Sequence, residues 1–192
     1  AGRDLSLYAN QNFGIDKSFH PGGSHKGFFG AYWKHDDFGM LNYALRDEKL
    51  GRKYFSWAQS QQGYIWVGLL TDKSPQYVEL QSGRLFNQNL LNSVDTPFKQ
   101  TLFTPYGTDE WNEYWLPVAG IGGADEVSLR AVVKMNGNVL GIYPLTALSG
   151  RFVVEDASGR EIVSREVNLP TAVPFFERLH IKAGYSQREI QI

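Results

Sequence analysis

Short runs rich in aromatic and β-branched residues, each closed by turn formers, recur along this chain, and no stretch keeps a clean helical period. Residues 32–34, 39–46, 53–59, 76–82 and 110–118 are such runs, the pattern of strands rather than helices. The segment 36–50 holds helix formers but is interrupted by Gly39 and mixes its periods. Alternation is explicit in Gln76-Tyr77-Val78-Glu79-Leu80-Gln81. There Val78 and Leu80 face one way, while Tyr77, Glu79 and Gln81 face the other. Further on, 127–135 ends at Asn136-Gly137-Asn138, a strong hairpin signal, with 139–143 as the return strand. Runs 151–155 and 161–167 flank Asp156-Ala157-Ser158-Gly159 as a second hairpin, and 175–181 reads as a last strand. The expected fold is all-β.

Charge and residue usage narrow the function classes. Nineteen Lys and Arg stand against 20 Asp and Glu, so no electrostatic reason points to nucleic acid as a partner. Apolar runs reach about five residues, far short of the roughly 20 that span a bilayer as a helix, and no membrane insertion is expected. Zero cysteines exclude disulfides and thiolate chemistry. The four histidines (His20, His25, His35, His180) show no paired ligand spacing, so no metal is expected. The dinucleotide, P-loop and G-x-S-x-G patterns are absent, and no cofactor is expected. Gly22, Gly23 and Gly27 near Ser24 and His25 read as a loop. The chain opens on Ala1-Gly2-Arg3 without a signal-peptide pattern, which suggests a removed leader or a piece of something longer.

Aromatic residues are the positive signal. There are 27 Phe, Trp and Tyr, of which 22 lie in residues 1–123 and five in 124–192. This drop at Gly120-Ile121-Gly122-Gly123 suggests a domain boundary there, with 1–123 as one domain and 124–192 as a small β-sandwich domain. A large aromatic core explains the first part. So does a site whose rings pack on the C–H faces of a sugar, with polar groups around the rim.

One stretch carries a specific likeness. Phe55-Ser56-Trp57-Ala58-Gln59, Trp66, Leu70-Thr71-Asp72 and the run from Tyr77 through Gly83-Arg84-Leu85-Phe86-Asn87-Gln88 belong to it. It continues through Thr96-Pro97-Phe98-Lys99 to Asp109-Glu110-Trp111-Asn112-Glu113-Tyr114-Trp115-Leu116-Pro117-Val118. Over roughly residues 4–123 the chain resembles a bacterial domain family of uncharacterised function, often fused to tetratricopeptide repeats, with a galactose mutarotase-like fold. The resemblance implies an antiparallel β supersandwich that binds carbohydrate on its concave face. Asp4-Leu5-Ser6-Leu7-Tyr8 looks like a point midway through that domain. The chain is then its C-terminal half, expected to associate with a missing N-terminal segment or with a second copy.

By analogy with the mutarotases, Glu79 is the general base that takes the proton from the anomeric hydroxyl. The loop 88–100, Pro105, Gly107 and the strand 111–118 follow it as in those enzymes. A histidine gives a proton to the ring oxygen in that chemistry, and His35, in Tyr32-Trp33-Lys34-His35-Asp36-Asp37, is the candidate here. The family's histidines lie in the first half of the fold, so this chain alone is expected to be a poor or inactive catalyst. Each assignment has a bland counterpart. Glu79 is equally a surface carboxylate, His35 a solvated turn residue, and Trp57 and Trp66 core residues rather than sugar platforms. Arg84 either orients a hydroxyl or forms an ordinary ion pair. Gln81, Asn87 and Gln88 are amides of the kind that read hydroxyls, and also common strand and loop residues. Two readings remain: a carbohydrate-binding or carbohydrate-modifying domain, and a structural or interaction β-module without catalysis. A sugar partner and the lack of cysteine favour a periplasmic or extracellular setting.

Overall fold

The computed structural model describes residues 2, 4–14, 17–19, 25–49, 51–57, 60–71, 77–83, 104–156 and 158–180. Among the described residues strand accounts for 46% and helix for 7%, in several antiparallel sheets with no barrel, so the fold is all-β. Two compact units divide the chain, one built from residues 1–25 and 46–111, the other from 26–45 and 112–192.

In the first unit, β1 (Lys17–Phe19), β4 (Lys53–Ser56) and β5 (Val78–Gln81) form a sheet in the order β1-β4-β5. Phe55 lies across from Glu79, and Lys53 across from Gln81, in β4 and β5. Because directly opposed residues share a face, Lys53, Phe55, Glu79 and Gln81 lie together. Tyr54, Ser56, Val78 and Leu80 lie on the reverse. The register read from alternation at 76–81 is the register of β5. The reverse face is fastened by Gln11, which donates to the Tyr54 hydroxyl (2.7 Å) and the Leu5 carbonyl (2.8 Å) and accepts from Ser56 Oγ. Phe19 stacks on Tyr54 with ring centroids 5.0 Å apart. A seven-residue helix, α1 (Tyr64–Leu70), lies between β4 and β5. No sequence signal announced it, because its apolar residues run almost unbroken and lack a period.

The second unit stacks three β layers. β2 (Phe28–Trp33), β3 (Phe38–Tyr43) and β6 (Tyr114–Ala119) form one sheet in the order β2-β3-β6. β7 (Glu126–Val127), β8 (Ala131–Asn136), β9 (Val139–Pro144) and β12 (Phe175–Arg178) form the next, in the order β12-β9-β8-β7. β10 (Leu148–Glu155) and β11 (Glu161–Leu169) pair as the last layer. The middle sheet is apolar on both sides. Val132 and Tyr143 pack with Leu41 and Val118, while Ala131, Val133, Leu140 and Ile142 pack with Leu169 and with Phe152 and Val163. In β2, Gly30 permits close strand approach: a Cβ there would sit 2.3 Å from the Met40 carbonyl oxygen.

The glycine run at 120–123 is a fastened corner within this unit. Gly120, Gly122 and Gly123 all adopt positive φ, which glycine takes without steric penalty. Asp37 Oδ1 accepts from the Tyr32 hydroxyl (2.5 Å) and the Gly122 N–H (3.1 Å), and Gly120 N–H donates to the Asp37 carbonyl (2.8 Å). Burial and the Asp37 contact together raise the Tyr32 phenol above its ordinary pKa. Residues on both sides of this corner pack together: Leu41 and Val118 share a core with Val127, Val132 and Tyr143. Sequence alone hides this, since composition changes at the corner while the core continues through it. Both expected hairpins are present, and Gly137 and Gly159 in their turns have φ of 62° and 80°.

Candidate functional site

Strand alternation from Lys53 onward builds one aromatic and polar face in the first unit. Phe55 and Trp57 stack with centroids 4.7 Å apart, and Trp66 on α1 meets Trp57 edge-on at 6.2 Å. Trp57 Nε1 donates to Glu79 Oε2 at 3.0 Å, and the Gln81 side-chain amide donates to the other oxygen, Oε1. Both carboxylate oxygens thus accept from neutral donors, and each keeps a further lone pair for another donor. Phe55, Trp57, Trp66, Glu79 and Gln81 are all half-buried, open enough to meet a ligand and held enough to orient it.

Two neighbours complete the face. Tyr77, just ahead of β5, has its phenol pKa raised by burial and then by the Glu79 charge. Lys53 is 5% exposed, with its ammonium 5.6 Å from the Phe55 ring centroid. Burial lowers its pKa, and Glu79 acts in the opposite direction. Sequence reasoning passed over Lys53 and Phe55 as site residues. The period-2 step through 53, 55 and 57 was the signal that could have found them.

Trp57, Trp66, Glu79 and Gln81 come together. His35 lies in the second unit, exposed in the turn between β2 and β3. Arg84, Asn87 and Gln88 lie outside the described residues, as does the whole of the 88–100 loop. Among the described residues no group of three or more His, Asp or Glu could hold a metal ion, and no helix is long and apolar enough to cross a membrane.

An antiparallel β unit that presents a stacked Phe–Trp pair and a second, edge-on indole beside a doubly held carboxylate belongs, by its sequence, to a defined class. Residues 1–118 match the family described as Domain of unknown function (DUF5107). The chain belongs to that family. No solved structure matches it.

Proposed function

We propose that this chain binds carbohydrate through the face formed by Phe55, Trp57, Trp66, Glu79 and Gln81. The observation that carries the reading is the carboxylate of Glu79 held between the Trp57 indole N–H and the Gln81 amide. Rings beside a fixed carboxylate and an amide offer both things a sugar presents, an apolar C–H face and a rim of hydroxyls. The mutarotase-like supersandwich and its epimerase chemistry are the finer form of the same proposal, with Glu79 as base, His35 as acid and Arg84, Asn87 and Gln88 as further hydroxyl readers. In this reading 1–123 and 124–192 are domains of the sequence, distinct from the compact units, and a second copy or an N-terminal segment completes the first.

The test is a glycan array on the whole chain, followed by titration of tryptophan fluorescence with the sugars that bind. Binding that shifts the emission and is lost in Trp57→Ala supports the proposal. An array without a hit, on protein whose circular dichroism is native, overturns it. Assay of coupled mutarotation with wild type and Glu79→Gln decides the epimerase form.

A second reading, an interaction module, is favoured by α1. Tyr64, Ile65, Leu69 and Leu70 all stand more than half exposed on this short helix, an apolar surface of the kind that marks a protein contact. Concentration-dependent sedimentation, abolished in Leu69→Lys, distinguishes it.

A further inference from the structure

Lys53 is the cation on this face, and the fold gives it a ring and the charge of Glu79 but no bonded anion. Its side chain is nine-tenths buried, and burying an ammonium is expensive unless an anion or several acceptors compensate. Among the described residues it makes no ion pair and donates no side-chain hydrogen bond; its contact is with the Phe55 ring. Lys26, Arg46, Lys134, Arg151, Arg160 and Arg165 each have a carboxylate partner by contrast. The nearest carboxylate on its own face is Glu79, whose oxygens accept from Trp57 and Gln81 and whose charge acts on Lys53 through space rather than through a bond. Strand register places Lys53 across from Gln81 and diagonal to Glu79, a separation of about 7–8 Å in an antiparallel pair. That is a spacing between backbones, and the two side chains rise from it onto one face, within reach of a single ligand.

Resting on the carbohydrate reading, we propose that the ligand is an acidic sugar of the uronate type. Its carboxylate pairs with the Lys53 ammonium, its ring lies against Phe55 and Trp57, and its hydroxyls meet Gln81 and Glu79. The cation at one end and the carboxylate at the other orient the sugar. A neutral hexose lacks the group that compensates Lys53, and a simple carboxylate lacks the ring and hydroxyls that engage the rest.

The test is isothermal titration calorimetry on the whole chain with glucuronate, galacturonate, glucose, galactose and acetate. The expected result is that at least one uronate binds about 10- to 100-fold more tightly than its neutral counterpart, the range of one hydrogen-bonded charge. Lys53→Met abolishes that ratio, Lys53→Arg keeps most of it, and Trp57→Ala weakens uronate and neutral sugar together. Equal affinities for uronate and neutral sugar in wild type overturn the inference and leave the carbohydrate reading standing. The wild-type ratio decides this whether or not Lys53→Met folds. Acetate binding as tightly as the uronates overturns it too, since the site would then be for a carboxylate alone. Failure of every sugar to bind overturns both the inference and the reading beneath it.

Discussion

The two units bury different things. Every fully buried apolar side chain among the described residues, from Leu41 to Leu179, lies in the second unit. Of the seven fully buried polar or charged residues described, six (Gln11, Lys49, Arg52, Lys53, Ser56 and Ser60) lie in the first, and Asn42 is the seventh. The second unit is held by removing apolar area from water, the larger and less directional force. The described residues of the first meet through hydrogen bonds, ring stacking and buried cations, among them Lys49 with its ammonium 4.5 Å from the Trp111 ring centroid. Such interactions contribute less net stability, but they set particular atoms in particular places. A scaffold needs the first kind of interior and a site needs the second.

Substitutions that remove each kind of interaction can break or sharpen this contrast. The largest effect is expected at Ile121, 1% exposed in the second unit and packed against Gly141. Ile121→Ala should cost about 2–5 kcal/mol, through lost transfer energy and the cavity left behind. Urea denaturation measures it, and a loss below about 1 kcal/mol would show that apolar burial is not what holds this unit. Gln11→Ala comes next, at about 1–3 kcal/mol, because it strands the buried Ser56 hydroxyl and takes a partner from Tyr54. If it proves neutral, the polar network of the first unit is decoration and the contrast fails.

Trp57→Phe keeps a ring at that position and removes the donor to Glu79. A fall of about 1 kcal/mol in stability is expected, the lower range for a bond to a charged group that is only half-buried. On the proposed carbohydrate reading, the sharper signature is weaker sugar binding out of proportion to that loss. Unchanged binding would mean that the ring alone matters and the carboxylate is not oriented by it.

The smallest effect is local to the β10–β11 turn. Asp156 accepts from Ser158 Oγ (2.5 Å), Ser158 N–H (2.9 Å) and Arg160 N–H (3.1 Å). These bonds, the Ser158 hydroxyl foremost, lower its pKa from the ordinary 3.8 to about 2. A depressed carboxylate stabilises the fold above its ordinary pKa and loses that contribution as pH falls through the depressed one. The turn should therefore hold at pH 4 and loosen towards pH 2. Carboxyl chemical shifts of Asp156 followed by NMR check this, and a midpoint near 3.8 would refute it.

Particular residues show how much of this could be read in advance. The side-chain order of β5 was legible because one of its faces is more apolar than the other, and a period of two then states which residues share a face. The hairpin turns at Gly137 and Gly159 were legible because left-handed backbone selects glycine locally. β8 and β9 were readable as strands, but not as a middle layer, because a strand apolar on both faces names no single partner. The helix α1 was missed for the same reason: a run with no polar face carries no period.

Local chemistry thus determined, from the amino-acid order alone, the all-β class, the hairpins, and the grouping of Glu79 with Gln81 opposite Val78 and Leu80. Those facts depend on neighbours within a few residues. Only tertiary structure decided that Gly120–Gly123 is a corner inside one core, that Trp57 donates to Glu79, and that Lys53 is buried beside them. Each of these depends on which distant strand lies alongside, a choice set by the summed packing of whole sheets and not by any residue's own preference.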